Sequence, residues 1–270
     1  MNPPMNPMIR KELRLLMRER RGWVLPSLYL VALGALAMFA YFESMRRENG
    51  TVLLEGPDIG IPVFLTVVFA QLSVLLLLVP VFSAGSFTIE KEQRTLPGLF
   101  TSLLTDAQIW WGKFLSSLMF VLLLLVAGLP VIALTFAFGG IGIWEMFMVT
   151  VTTVIILACF SAVGLYWSSV FRRSVPATAV TYGTVIVLSA VTAILFFAQL
   201  SESHNAPWYN LPLRAKAPIL ANPFFFLAVS LTDPPYLYPE WVLSALLFVF
   251  VGTVAIFLTL RNLRRERRTS

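Results

Sequence analysis

The sequence predicts an all-α integral membrane protein with six transmembrane helices, and three observations predict it. First, six long apolar stretches, 23–42, 61–85, 114–138, 146–170, 175–199 and 241–260, contain no Asp, Glu, Lys, Arg or His. Each is long enough to cross a bilayer, which takes about 20 apolar residues in a helix. Second, the charges between the stretches are segregated. If the stretches alternate in direction, one side holds the N-terminus, the 86–113 loop, Arg172/Arg173 and the C-terminal tail, and 16 of the 20 Lys and Arg residues fall there. The other side has only Arg46, Arg47, Arg214 and Lys216, together with 8 of the 14 acids. By the positive-inside rule this places both termini in the cytoplasm. Third, 58% of the 270 residues are hydrophobic and the mean hydropathy is +0.81, above the roughly 45–50% apolar content of soluble domains. The spans take up most of the chain, so a single transmembrane domain over 1–270 is expected. Charge segregated by loop is not the footprint of a nucleic-acid binder, and no nucleic-acid partner is expected.

Residues 5–21 (MNPMIRKELRLLMRERR) read as an amphipathic helix. Met8, Ile9, Leu13, Leu16 and Met17 share one face, and Arg10, Lys11, Arg14, Arg18 and Arg21 line the others. Such a helix lies along a membrane surface with its cations towards anionic lipid. It lacks the apolar core and small-residue cleavage site of a signal peptide, so the first span is expected to act as its own insertion signal.

Pro26, Pro62, Pro80, Pro130 and Pro176 fall within the spans, where each frees a backbone carbonyl that neighbours must satisfy. All seven tryptophans, Trp23, Trp110, Trp111, Trp144, Trp167, Trp208 and Trp241, stand at or just beyond span ends, which predicts an aromatic belt at headgroup level. Cys159, alone inside the fourth span, reads as a packed core thiol. Few polar side chains lie within the spans, and interhelical hydrogen bonding is their default role. Gln71 is the largest of them and a candidate for a translocation path.

The 200–240 segment is the longest loop on the side opposite the termini. Its apolar patch ILANPFFFLAVSL is too short to span, and predicts a re-entrant or interfacial segment. His204 has no second ligand nearby and reads as an exposed loop residue. No metal site is expected.

The 86–113 loop carries the most information. It opens with Glu90, Lys91, Glu92 and Arg94. Leu96, Leu99, Phe100, Leu103 and Leu104 follow at i, i+3, i+4, i+7 and i+8, the stripe of a short amphipathic helix. Thr95 is placed to cap it, with Pro97 just inside its start. Thr105 and Gln108 have capping-box spacing, so a new helix is predicted from near Asp106 into the third span. The apolar stripe needs cover, either from the lipid interface and the underside of the bundle or from a groove on a soluble partner.

The order of basic amphipathic N-terminus, two spans, an E-K-E-x-x-T-L…LL…GK loop and four further spans resembles the permease subunits of ABC-2 type ABC transporters. Glu90, Glu92, Thr95, Leu96, Leu99, Leu103, Leu104, Gly112 and Lys113 carry the match. Pro97-Gly98 and Asp106 depart from the family pattern. The resemblance implies that the loop is a coupling helix that docks an ATPase subunit through Glu90, Arg94, Leu96, Leu99, Phe100, Leu103 and Leu104. It makes 5–21 a connecting helix at the same interface, with Ile9, Leu13, Leu16 and Met17 on its apolar face. It also implies a second permease copy, identical or paralogous, with the substrate path between the copies.

No G-x-x-x-x-G-K-[ST] phosphate loop occurs in the chain. ATP and Mg are therefore expected in the partner subunit, and no cofactor or catalytic residue in this one. H-E-x-x-H, C-x-x-C and G-x-S-x-G are also missing, and charge-free spans lack the ionisable groups of ion-coupled pumps. Two readings follow: an ATP-driven exporter half, or a membrane anchor or assembly protein that docks a soluble partner through the same loop.

Overall fold

A computed structural model describes residues 21–48, 60–95, 105–136, 142–202, 213–231 and 234–269. Among these residues the fold is helical and has no strand. The helices are α1 (Arg21–Glu48), α2 (Gly60–Ser83), α3 (Gly85–Glu92), α4 (Asp106–Phe136), α5 (Ile143–Val170), α6 (Ser174–Glu202), α7 (Leu213–Leu220), α8 (Pro223–Val229) and α9 (Pro234–Thr269). Among the described residues, six helical segments are long and apolar enough to cross a membrane: Val24–Arg46, Gly60–Glu92, Asp106–Phe136, Ile143–Val170, Ser174–Ala198 and Pro239–Arg267. The chain is thus a multi-pass membrane protein.

The spans sort into a centre and a periphery. α5 is the most enclosed, packing against α2, α4, α6 and α9, whereas α1 and α6 leave most of their surface uncovered. In lipid an uncovered apolar face carries no penalty, so the core is set by packing and hydrogen bonding rather than by hiding hydrophobic surface. The main cluster joins Leu33 of α1, Leu72 and Leu75 of α2, Leu124 of α4, Ile156 and Phe160 of α5 and Phe248 of α9. Cys159 lies in it as a buried free thiol.

Close helix approach depends on two glycines. A Cβ on Gly164 of α5 would stand 1.9 Å from the Ser83 hydroxyl, and one on Gly128 of α4 2.8 Å from the Tyr29 hydroxyl and 3.0 Å from Gln71 Nε2. Small residues at such crossings let membrane helices meet backbone to backbone.

α2 and α3 form one continuous run broken only at Ala84, whose N–H bonds the Pro80 carbonyl at 3.0 Å. Pro80 offers no donor to the turn above it. In that turn the Leu77 carbonyl, next to the Leu76 carbonyl that Pro80 leaves without its donor, accepts from the Tyr182 hydroxyl at 2.7 Å and ties α2 to α6.

At the end of the bundle away from α3, the apolar patch of the 200–240 segment is not one helix but two. Asn222 divides them: its Oδ1 accepts from the N–H groups of Phe224 and Phe225, and Pro223 occupies the first helical turn. The Asn222 amide also donates to the Ser189 carbonyl at 3.0 Å and to Thr192 Oγ1 at 2.9 Å, fastening the pair to α6. Phe226 and Leu227 are fully buried, with Phe226 stacked on Phe248 of α9 at 5.3 Å between centroids. Lys216 pairs with Glu240 at 2.8 Å and ties α7 to α9.

The expected tryptophan belt needs correction. Trp111 and Trp144 are exposed, but Trp110 is fully buried, and Trp167 and Trp241 turn partly inward. The reason is the polar edge of the indole. Trp167 Nε1 donates to Thr184 Oγ1 at 3.1 Å and Trp241 Nε1 to Thr152 Oγ1 at 2.8 Å, each joining two helices. The side chains of Trp23 and Trp208 lie outside the described residues.

Candidate functional site: an ion-paired collar at one end of the bundle

Five helix ends converge at the end of the bundle opposite α7 and α8: the C-terminus of α3, the N-terminus of α4, the C-terminus of α5, the N-terminus of α6 and the last turns of α9. Lys113 of α4 is almost wholly buried. Its Nζ bonds Glu90 Oε1 at 2.8 Å and the Ser86 carbonyl, and stands 5.1 Å from the centroid of the Phe87 ring. Lys91 Nζ turns the other way, to the Ser169 carbonyl of α5 and to Glu266 of α9 at 2.7 Å. Glu92 accepts from the Ser174 N–H at 2.6 Å, at the first turn of α6, where a carboxylate also complements the helix dipole. Arg267 of α9 reaches Asp106 at the start of α4, at 2.9 Å.

Serine and asparagine complete the collar. Ser168 Oγ accepts from the N–H groups of Phe87 and Thr88 at 2.8 and 3.1 Å, tying the start of α3 to the end of α5. Asn262 donates to Ser169 Oγ at 3.2 Å. Beneath this layer lies a separate apolar cluster of Phe87, Ile109, Trp110, Phe114, Leu165, Ala255 and Leu263. Trp110 stacks on Phe114 at 4.8 Å, and its Nε1 has no hydrogen-bond partner among the described residues. The low dielectric of such a floor strengthens charge pairs above it, provided that every charge is paired.

The collar fixes both roots of the 96–104 segment. On the near side α3 closes with a Schellman arrangement: the Thr95 N–H bonds the Glu90 carbonyl at 3.0 Å and the Arg94 N–H the Lys91 carbonyl at 3.2 Å. Arg94 takes the left-handed conformation, φ 56°, that this motif usually reserves for glycine. On the far side Thr105 and Gln108 form the expected capping box. Gln108 Oε1 accepts from the Thr105 N–H at 2.9 Å, and Thr105 Oγ1 from the Gln108 N–H at 3.3 Å.

Of the coupling residues expected from the sequence, Glu90 and Arg94 are described. Glu90 is turned inward to Lys113, while Arg94 is exposed. Thr95 lies at the end of α3, beyond its reversing turn. Leu96, Leu99, Phe100, Leu103 and Leu104 lie outside the described residues, as do Ile9, Leu13, Leu16 and Met17 of the expected connecting helix. Gln71 sits far from the collar, buried between α1, α2 and α4, with its Nε2 3.3 Å from the Leu125 carbonyl and beside the Tyr29 hydroxyl.

Sequence reasoning missed the partners that α5 and α9 supply: Ser168, Ser169, Asn262, Glu266 and Arg267. The signal for the last two was their opposite charge to Asp106 and Lys91, but their pairing depends on which helix ends meet.

No curated protein matches the chain by sequence. A family model described as ABC-2 family transporter protein matches residues 7–207, which takes in α1 to α6 and both roots of the collar loop. More than half of the chain is covered, and the chain belongs to the ABC-2 family of transporter membrane proteins.

Proposed function

We propose that this chain is the permease subunit of an ATP-driven exporter, receiving force from a separate nucleotide-binding subunit at the collar end. The observation that carries the reading is that both roots of the 96–104 segment are tied into the bundle, by Glu90–Lys113, Lys91–Glu266, Glu92–Ser174 and Arg267–Asp106. A push on that segment is therefore delivered to α3, α4, α5, α6 and α9 together rather than absorbed in a slack loop. Family membership and the amphipathic stripe of Leu96, Leu99, Phe100, Leu103 and Leu104 support docking there.

In this reading ATP and Mg belong to the partner, and this chain holds no cofactor and catalyses no bond cleavage. The collar faces the cytoplasm with both termini, in the plasma membrane, as the excess of Lys and Arg on that side implies. The basic 5–21 helix lies beside the docking loop. Two permease copies, identical or paralogous, flank the substrate path. Gln71, now locking α2 to α4, contributes to that path only if these helices part during the cycle.

Leu99→Asp and Phe100→Asp test the docking assignment. Each puts a charge in the stripe that would fill the partner's groove. Both variants should insert in the membrane normally and lose complex formation when the chain is purified with its ATPase. Unchanged complex yield for both variants overturns the assignment.

A further inference from the structure

The last turns of α9 have two chemically different sides. The inward side carries Thr259, Asn262, Leu263, Glu266 and Arg267 and is occupied by the bundle and the collar. The outward side carries Arg261, Arg264 and Arg265, which with Phe257 and Leu260 line a cleft of about 300 Å³. Phe257 is 67% exposed. About two and three turns above it on the same face, at helical spacing, stand Phe250 and Leu246, both exposed. A continuous apolar row on a membrane-spanning helix thus runs directly into the guanidiniums of Arg261 and Arg264, at i and i+3.

We propose that this cleft binds one anionic phospholipid, with its phosphate on Arg261 and Arg264 and its acyl chains along Phe257, Phe250 and Leu246. The fit is one of charge and depth. Guanidinium presents planar paired donors that match phosphate oxygens. The apolar row is where acyl chains lie, and the arginines begin where that row ends. Basic residues near a helix C-terminus also favour the helix dipole and fix topology. Those roles need no particular face, whereas here Arg261 and Arg264 both lie on the face that carries the apolar row. The proposal does not depend on the ATPase reading.

The test is native mass spectrometry of the full-length chain in neutral detergent, titrated separately with phosphatidylglycerol, phosphatidylcholine and inorganic phosphate. One retained phosphatidylglycerol per chain is expected, with phosphatidylcholine and inorganic phosphate held at least tenfold more weakly. The double variant R261Q/R264Q should lose phosphatidylglycerol by at least tenfold, and R172Q/R173Q, which removes the same charge elsewhere at this end, should keep it. Where the double variant yields too little folded protein, R261Q and R264Q singly serve, each with at least a threefold loss. Equal retention in the arginine variants, equal loss in R172Q/R173Q, equal retention of phosphatidylcholine, or phosphate binding as strong as lipid binding would each overturn the site.

Discussion

Lys113 shows how a single charge can organise a membrane-protein end. It is a buried cation above an apolar floor, paired with Glu90 and a backbone carbonyl and resting near an aromatic ring. Removing Lys113 leaves the partly buried Glu90 carboxylate without its cation, at about 2 kcal/mol. Lys113→Met should therefore lower the melting temperature in detergent clearly, and Lys113→Met with Glu90→Met should recover much of the loss. A double variant no better than the single would mean that the pair is not what stabilises the site. The sequence reading marked Glu90 and Lys113 through a family pattern, but not their direct bond. A separation of 23 residues across a loop leaves no periodicity to read. The inward turn of Trp110 was hidden for the same reason: nothing local distinguishes a buried indole from the half-exposed Trp111 beside it. The left-handed Arg94 was equally unreadable, since the sequence shows a charged residue where the turn geometry favours glycine.

At the scale of elements, what was legible was local. The capping box at Thr105 and Gln108 depends on residues three apart, and it forms as the spacing predicts. The division of the 200–240 patch at Asn222 was also written locally, as an Asn before a Pro at a helix start, although its apolar run masked the break. What could not be read was the docking of the pair α7–α8 into the bundle, because that rests on Ser189 and Thr192, about 30 residues away. Asn222→Ala removes the cap of α8 and both bonds to α6. It should cost about 1–2 kcal/mol and open residues 213–231 to limited proteolysis. Asn222→Asp keeps the cap but not the donors, and should protect the segment less well than the native residue. An unchanged digestion pattern in both variants would mean that packing of Phe226 and Leu227 alone seats the pair.

For the whole molecule, α5 is the axis. It meets α2, α3, α4, α6, α8 and α9, and through Ser168 and Ser169 it anchors the collar. The six spans were legible because a charge-free run of bilayer length has few other meanings in a chain. Their central and peripheral ranks were not, because lipid and protein are equally good solvents for an apolar face. Family membership and the braced roots of the 96–104 segment converge on one central claim, that this end of the molecule receives a soluble motor. The most direct measurement is affinity purification of the chain from its host membrane in mild detergent, with mass spectrometry of the proteins that co-elute. The account predicts an ATPase bearing a phosphate loop, in stoichiometric amount and lost from Leu99→Asp. Recovery of an intact, monodisperse permease with no such ATPase, or with a different soluble protein in its place, would contradict it.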